Sequence, residues 1–302
     1  MQVHPPLAKN LRRVSLAVAF AFTLLAEPAL AAKLVGTDIN SGRLLYITTP
    51  NVAVSMFTTA SGGKPDGVLV GPNQEIIYTL SGTGSVHIFN PYIRTDSTLA
   101  TGLVNPVELL MQPGCQSILV SDIGVNKIYS ISLNTRAVTT FYNGPDKMQG
   151  LTYDKFGNLF ANDDQLNAIV QLDTTTGVIV NQTPATMPLT ALEGLTFDTF
   201  TNNLFATSNT GQVLYQVSDD LGTIVTIPFT GEPFLHGLLS DGSGNLYVVG
   251  GDGTTSKIFQ YVITTGVQNT LNTVSGLEDI ARIPFGPCPK GGGTTAAACE
   301  EE

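Results

Sequence analysis

The sequence predicts an all-β fold, a six-bladed β-propeller whose ring is closed by pairing three N-terminal strands with one C-terminal strand in a single blade. Three observations predict it. A short signature recurs six times, each unit between the signatures divides into four short strands, and the two ends of the chain supply complementary parts of one further unit.

The signature is a polar residue, usually followed by glycine, ahead of an apolar strand. Its copies are Pro65-Asp66-Gly67-Val68, Val104-Asn105-Pro106-Val107, Met148-Gln149-Gly150-Leu151, Leu192-Glu193-Gly194-Leu195, Leu235-His236-Gly237-Leu238 and Leu277-Glu278-Asp279-Ile280. From Asp66 through Asn105, Gln149, Glu193 and His236 to Glu278 the steps are 39, 44, 44, 43 and 42 residues, a spacing that belongs to propeller blades.

Within a unit, residues 150–154 alternate as a first strand and Lys155-Phe156-Gly157-Asn158 supplies a turn. Residues 159–162 and 168–173 give the second and third strands, and Thr174-Thr175-Thr176-Gly177 turns into a fourth at 178–180. Short β-branched and aromatic runs punctuated by Gly, Asn and Asp are hairpin signals. No apolar pattern at helical spacing interrupts them.

Lys33 to Ile47 can be laid over Ser117 to Ile131, so the N-terminus enters at a second strand, while Asp279 to Phe285 is a lone first strand. Joining them completes a sixth blade and removes two edges open to aggregation. The propeller is thus expected over residues 32–285.

Flanking segments read differently. Lys9, Arg12 and Arg13 precede a charge-free, mostly apolar run from Val14 to Ala26 and a small-residue stretch ending Ala29-Leu30-Ala31-Ala32, the tripartition of a signal peptide over residues 1–31. The paired arginines leave both the Sec and the twin-arginine route open. Residues 286–302 are Gly-, Thr- and Ala-rich and end in three glutamates, the composition of a disordered tail. The sequence therefore implies a secreted or periplasmic protein, and no later stretch reaches the apolar length of a membrane span.

Cleavage removes three cationic residues and Glu27, taking the net charge from −10 to −12. Such a surface repels phosphate backbones and anionic headgroups, which argues against nucleic acid and membrane insertion and favours cations and neutral or cationic small molecules. Cys115, Cys288 and Cys299 are too few for a disulfide framework and match no zinc spacing, so they allow one disulfide and a spare thiol.

The six signature positions fall where strands that line the central channel begin, so Asp66, Asn105, Gln149, Glu193, His236 and Glu278 are expected around one opening. Hard oxygen donors with one imidazole suit Ca²⁺, Mg²⁺ or Mn²⁺, with Asp66, Glu193 and Glu278 as the metal ligands and Gln149 and Asn105 as ligand-binding amides. An acidic rim also serves plain solubility. His236 is the rim candidate for a catalytic acid or base, whereas His87 sits inside a strand. Asp163-Asp164 and Gly250-Gly251-Asp252-Gly253 read as turns, the first a solvated hairpin.

Residues 121–129, Ser-Asp-Ile-Gly-Val-Asn-Lys-Ile-Tyr, resemble NHL-type repeats, and their Asn-Lys-Ile portion is also similar to blades of streptogramin lyases. Leu235-His236-Gly237-Leu238 resembles the His-Gly-Ile blade start of the same lyases. Pro65-Asp66-Gly67 resembles the Pro-Asp-Gly of gluconolactonase and regucalcin-type (SMP-30-like) propellers, where the aspartate is a metal ligand, and Glu193-Gly194 is similar to the Glu-Gly that supplies another. The order differs, since Asp66 here precedes Glu193. The resemblance implies a small-molecule ligand held with a divalent cation, and either a lactonase- or esterase-like hydrolase or a lyase. The second class left open is a non-catalytic extracellular module that binds protein or glycan. A monomer is expected in either case.

Overall fold

The computed structural model describes residues 32–283 apart from 51, 60–62, 188 and 253, so the leader and the tail lie outside the described residues. Among the described residues there are strands and turns but no helix, and hence no helix long and apolar enough to cross a membrane.

The strands form six four-stranded antiparallel sheets. Blade 1 contains β1 (Lys33–Asp38), β2 (Arg43–Thr48) and β3 (Val52–Thr58), and blade 2 contains β4 (Pro65–Val70), β5 (Ile76–Leu80), β6 (Ser85–Asn90) and β7 (Thr95–Thr101). Blade 3 follows with β8 (Pro106–Met111), β9 (Ser117–Asp122), β10 (Lys127–Ser132) and β11 (Val138–Asn143). Blade 4 has β12 (Met148–Tyr153), β13 (Leu159–Asp163), β14 (Ala168–Leu172) and β15 (Ile179–Gln182). Blade 5 has β16 (Leu192–Asp198), β17 (Asn203–Ser208), β18 (Val213–Ser218) and β19 (Ile224–Pro228). Blade 6 has β20 (Phe234–Ser240), β21 (Asn245–Gly251), β22 (Ser256–Val262) and β23 (Val267–Val274). The last strand, β24 (Leu277–Ile283), returns to blade 1 and pairs antiparallel with β1, from Lys33 opposite Ile283 to Asp38 opposite Leu277. Ring closure by the termini is therefore as the sequence predicts.

The apolar core lies between blades. Six clusters of buried side chains each join two neighbours, and the alternation of side chains along a strand decides which. On β9, Ile118 and Val120 pack towards blade 2, while Leu119 between them packs towards blade 4. On β13, Leu159 and Ala161 face blade 3 and Phe160 faces blade 5. Second strands are thus buried on both faces and read as mostly apolar runs such as Ile76-Ile77-Tyr78-Thr79-Leu80. Outermost strands such as β7 and β15 are largely exposed and polar.

Innermost strands touch one another in the cyclic order β24, β4, β8, β12, β16, β20 and back to β24, and so wall a central channel. Each carries a β-bulge at the same place. Pairing with the second strand holds at Pro65, Pro106, Met148, Leu192, Leu235 and Leu277, skips two residues, and resumes at Val68, Leu109, Leu151, Leu195, Leu238 and Ile280. A bulge leaves its residues free of the ladder and re-aims their side chains, which is why such features gather near sites.

Candidate functional site

The two bulge residues of each blade form two tiers on the channel wall. The upper tier is Asp66, Val107, Gln149, Glu193, His236 and Glu278 in blades 2, 3, 4, 5, 6 and 1. The lower tier is Gly67, Glu108, Gly150, Gly194, Gly237 and Asp279. Side chains of both tiers line one cavity of ≈ 30 Å³, which therefore collects five carboxylates.

The register corrects the sequence reading in blade 3. Asn105 is expected in the ring, but it lies just before β8, where its N–H donates to Asp122 Oδ1 at 2.8 Å and its carbonyl accepts from Ile123 N at 3.1 Å. Val107 takes the ring position. The shift of two residues arises because blade 3 has no glycine to mark the bulge, and it brings in Glu108, which the sequence reading missed along with Asp279. Both occupy positions that are glycine in the other four blades.

In five of the six blades a polar side chain opposite the bulge ties the blade to the next. Thr79 Oγ1 donates to Val107 O at 3.2 Å and accepts from Gly67 N at 2.9 Å, and Thr207 Oγ1 does the same between His236 O at 2.6 Å and Gly194 N at 2.8 Å. Asn162 Nδ2 donates to Glu193 O at 2.9 Å, Thr37 to Asp66 O, and Ser121 to Met148 O. The corresponding residue of blade 6 is Val249, which packs into the apolar cluster between blades 6 and 1. These bonds satisfy backbone groups at the bulges and hold Asp66, Val107, Glu193 and His236 at a common height. Gly194 is dictated by the same closeness, since a Cβ there would sit 2.6 Å from His236 O.

Blades 5, 6 and 1 are consecutive, and their upper-tier residues meet. His236 Nδ1 is 3.2 Å from Glu193 Oε1 and 3.4 Å from Glu278 Oε1, and the side chains are 15–20% exposed. Asn209 donates to the other oxygen, Glu193 Oε2. One ligand atom from each of Glu193, His236 and Glu278 lies within 4.8 Å of the other two, the metal-competent group of this kind among the described residues. Of the expected metal ligands, Glu193 and Glu278 thus come together with His236, while Asp66 lines the same cavity from blade 2 and the ligand-binding amide Gln149 lines it from blade 4.

Burial and mutual repulsion act on these carboxylates together. Burial, then the carboxylates of Glu278, Glu193 and Asp279, push Asp66 well above the usual carboxylate range. Burial and Asp279 do the same to Glu108. Burial raises Asp279 to about 7, although it accepts from Val68 N at 2.9 Å. For His236, burial opposes the charge, but its hydrogen bonds to Glu193 and Glu278 outweigh this and hold it at about 10. Burial likewise opposes the charge of Glu193, and the contacts with His236 and Asn209 bring its pKa below the ordinary value. A proton held on His236 thus offsets part of the negative charge gathered at the mouth.

Elsewhere, two turn readings change. Asp163 ends β13 fully buried, its Oδ1 accepting from Gln165 N and Leu166 N at 2.9 Å, so it is an internal cap where a solvated hairpin was expected; Asp164 pairs with Lys147 at 2.8 Å. Gly250 and Gly251 belong to β21, and the turn begins at Asp252. His87 is on β6 and pairs with Asp96 at 2.9 Å. Cys115 is disulfide-bonded, and Cys288 and Cys299 lie outside the described residues.

No protein-family model and no curated protein sequence matches the chain. Solved structures do. A nidogen/laminin complex aligns with a TM-score of 0.70 at 15% identity, covering 82% of this chain and 97% of that one. A catalytically inactive histidine-to-alanine variant of virginiamycin B lyase from Staphylococcus aureus, with quinupristin, aligns with a TM-score of 0.60 at 14% identity, covering 86% and 88%. A protein of unknown function from Bacteroides caccae gives 0.67 at 13%, covering 84% and 99%. At these identities the likeness is one of architecture, and by fold this chain is a six-bladed β-propeller of the kind shared by NHL-repeat propellers and streptogramin B lyases.

Proposed function

We propose that the chain is an exported propeller, with residues 1–31 as its leader, that binds a small molecule at the channel mouth with the help of a divalent cation. One observation carries the reading: six bulges in register converge three acids, an amide and a histidine on one opening, and three of these side chains close to within 4.8 Å. Concave sites with a few convergent polar groups and perturbed pKa values are where ligands bind. A cavity of ≈ 30 Å³ has room for an ion and about one or two waters, so the ligand itself rests on the rim and reaches inward with one polar group.

The reaction class this favours is lactone or ester hydrolysis, or elimination, with a base at the mouth. A cation there would polarise a carbonyl or a bound water. Asp66, on the cavity wall, is placed to hold or move a proton, and His236 is placed to ligate the cation or, in its absence, to carry the proton itself. Support from the neighbours is limited to the fold, though one of them is a lyase inactivated by losing a histidine.

A second reading, a non-catalytic protein-binding module, draws on a different observation. Tyr92 and Ile93 stand 74% and 69% exposed in the turn between β6 and β7, and a nidogen/laminin complex is among the similar structures. Melting curves with and without Ca²⁺, Mg²⁺, Mn²⁺ and Zn²⁺, followed by a panel of lactones and esters, separate the two. Stabilisation by a cation and turnover abolished by His236→Ala support the first reading; no stabilisation and no turnover transfer the function to the module.

A further inference from the structure

We infer that the cation at this mouth is a four-coordinate transition metal of the Zn²⁺ type, held by Glu193, His236 and Glu278 with its fourth position open to the channel. The inference rests on the reading that the mouth takes a divalent cation, and it specifies the ion, the ligands and the coordination number.

Ligand chemistry gives the first argument. Ca²⁺ takes six to eight oxygens and Mg²⁺ prefers oxygens and retained waters, whereas imidazole beside carboxylates suits Zn²⁺ and its neighbours. Here the nitrogen is central, because His236 Nδ1 faces both glutamates.

Coordination number gives the second. Three of the nearby backbone carbonyls are already engaged, Glu193 O by Asn162 Nδ2 at 2.9 Å, His236 O by Thr207 Oγ1 at 2.6 Å and Asp66 O by Thr37. One ligand atom from each of three side chains closes to within 4.8 Å of the other two, a count that matches a four-coordinate ion with one open position and falls short of the six to eight oxygens of a calcium cage.

Spacing gives the third. Two ligand atoms 2.0–2.2 Å from a tetrahedral ion lie about 3.3–3.6 Å apart. The two separations from His236 Nδ1 are 3.2 and 3.4 Å, close to that span, and all three ligand atoms lie within 4.8 Å of one another. Asn209 holds Glu193 Oε2 and leaves Oε1, the oxygen facing His236, for the metal. That is the outer-shell contact that fixes a ligating carboxylate.

Three protein ligands with an open position is the arrangement of catalytic zinc, in contrast to the four-ligand structural sites. The cavity beside the cluster is lined across the channel by Asp66 and Gln149 and has room for one bound water or one ligand oxygen. The class of ligand this accepts is a neutral or cationic molecule that presents a carbonyl or hydroxyl oxygen.

The test strips the purified full chain with a chelator and titrates it with Co²⁺ in the visible range, then with Zn²⁺ as competitor and Ca²⁺ and Mg²⁺ as controls. We expect one Co²⁺ per chain with the intense absorption of a four-coordinate site, displaced by one Zn²⁺ and not by Ca²⁺ or Mg²⁺. His236→Gln and Glu278→Gln should each abolish the absorption while retaining the melting transition. Asn209→Ala should weaken Zn²⁺ binding about 10–100-fold with the spectrum unchanged in shape. A weak six-coordinate spectrum, displacement by Ca²⁺ or Mg²⁺, or Co²⁺ binding that survives His236→Gln would overturn this assignment while leaving a cation at the mouth. Failure of every divalent ion to bind would overturn both this assignment and the cation-assisted reading of the site.

Discussion

The backbone N–H of Val68 donates to Asp279 Oδ2 at 2.9 Å, so a carboxylate on the last strand holds the first residue past the bulge of the first complete blade. The N–H of Asp279 in turn donates to Thr37 Oγ1 at 3.2 Å, and that hydroxyl bonds Asp66 O. One short chain of hydrogen bonds therefore links ring closure to the height of Asp66 in the mouth. Asp279→Ala leaves the Val68 N–H without its acceptor, at a cost of about 1–3 kcal/mol. Asp279→Asn keeps an acceptor and removes a charge from a crowded channel, so it should melt above Asp279→Ala. Chemical denaturation of both variants checks the order, and equal stability would show that the bond contributes nothing.

Thr207 performs the same service for the metal-competent cluster. Thr207→Val removes the acceptor of Gly194 N and the donor to His236 O, two groups that the bulge leaves otherwise unpaired. A loss of about 1–3 kcal/mol is expected for each buried group left unsatisfied. Because His236 and Glu193 flank these groups, cation affinity should fall as well, which isothermal titration measures. An unaltered affinity in a folded variant would mean that the tie does not position the cluster.

The pH dependence of the cation-free protein has a defined sign. His236 is raised from its ordinary value to about 10, so its contribution is present below about pH 6.5 and lost as pH rises through about 10. Asp279 is raised to about 7, so the fold favours its protonated form and loses that advantage as pH climbs from about 4 to 7. The melting temperature in chelator should therefore fall between pH 5 and 10, with His236→Gln flattening the upper part and Asp279→Asn the lower. A rising melting temperature over that range would contradict the charge distribution described.

Closure by β24 has a direct consequence for stability. Deleting residues 33–62 removes β1, β2 and β3, leaves β24 without a partner sheet and opens the apolar clusters shared by blades 6, 1 and 2. Total folding stability is only about 5–15 kcal/mol, so the deletion should abolish cooperative melting. A retained sharp transition would show that five blades close by themselves.

The six-fold signature made the blades legible because a propeller repeats one physical problem, a strand buried on both faces followed by a turn. Gln149, Glu193, His236, Glu278 and Asp66 were legible for the same reason, each preceding a glycine or aspartate at the bulge. Blade 3 was not, since Pro106 pairs where Pro65 does and the acid Glu108 stands in place of the glycine. Aligning on the apolar pair Leu109-Leu110 would have found it. The closeness of Glu193, His236 and Glu278 was beyond the sequence, because it depends on adjacency of blades 5, 6 and 1 around a ring and on rotamers set by Asn209. Asp163 was misread because a turn residue can be buried when its carboxylate caps the turn's own N–H groups.

The central claim is that the channel mouth holds a divalent cation between Glu193, His236 and Glu278. Elemental analysis of the full chain purified without chelator tests it most directly. We expect close to one equivalent of divalent metal per chain in the wild type and none in the folded Glu193→Gln/Glu278→Gln double variant. Equal metal content in the two proteins, or none in either after equilibration with divalent ions, would contradict it.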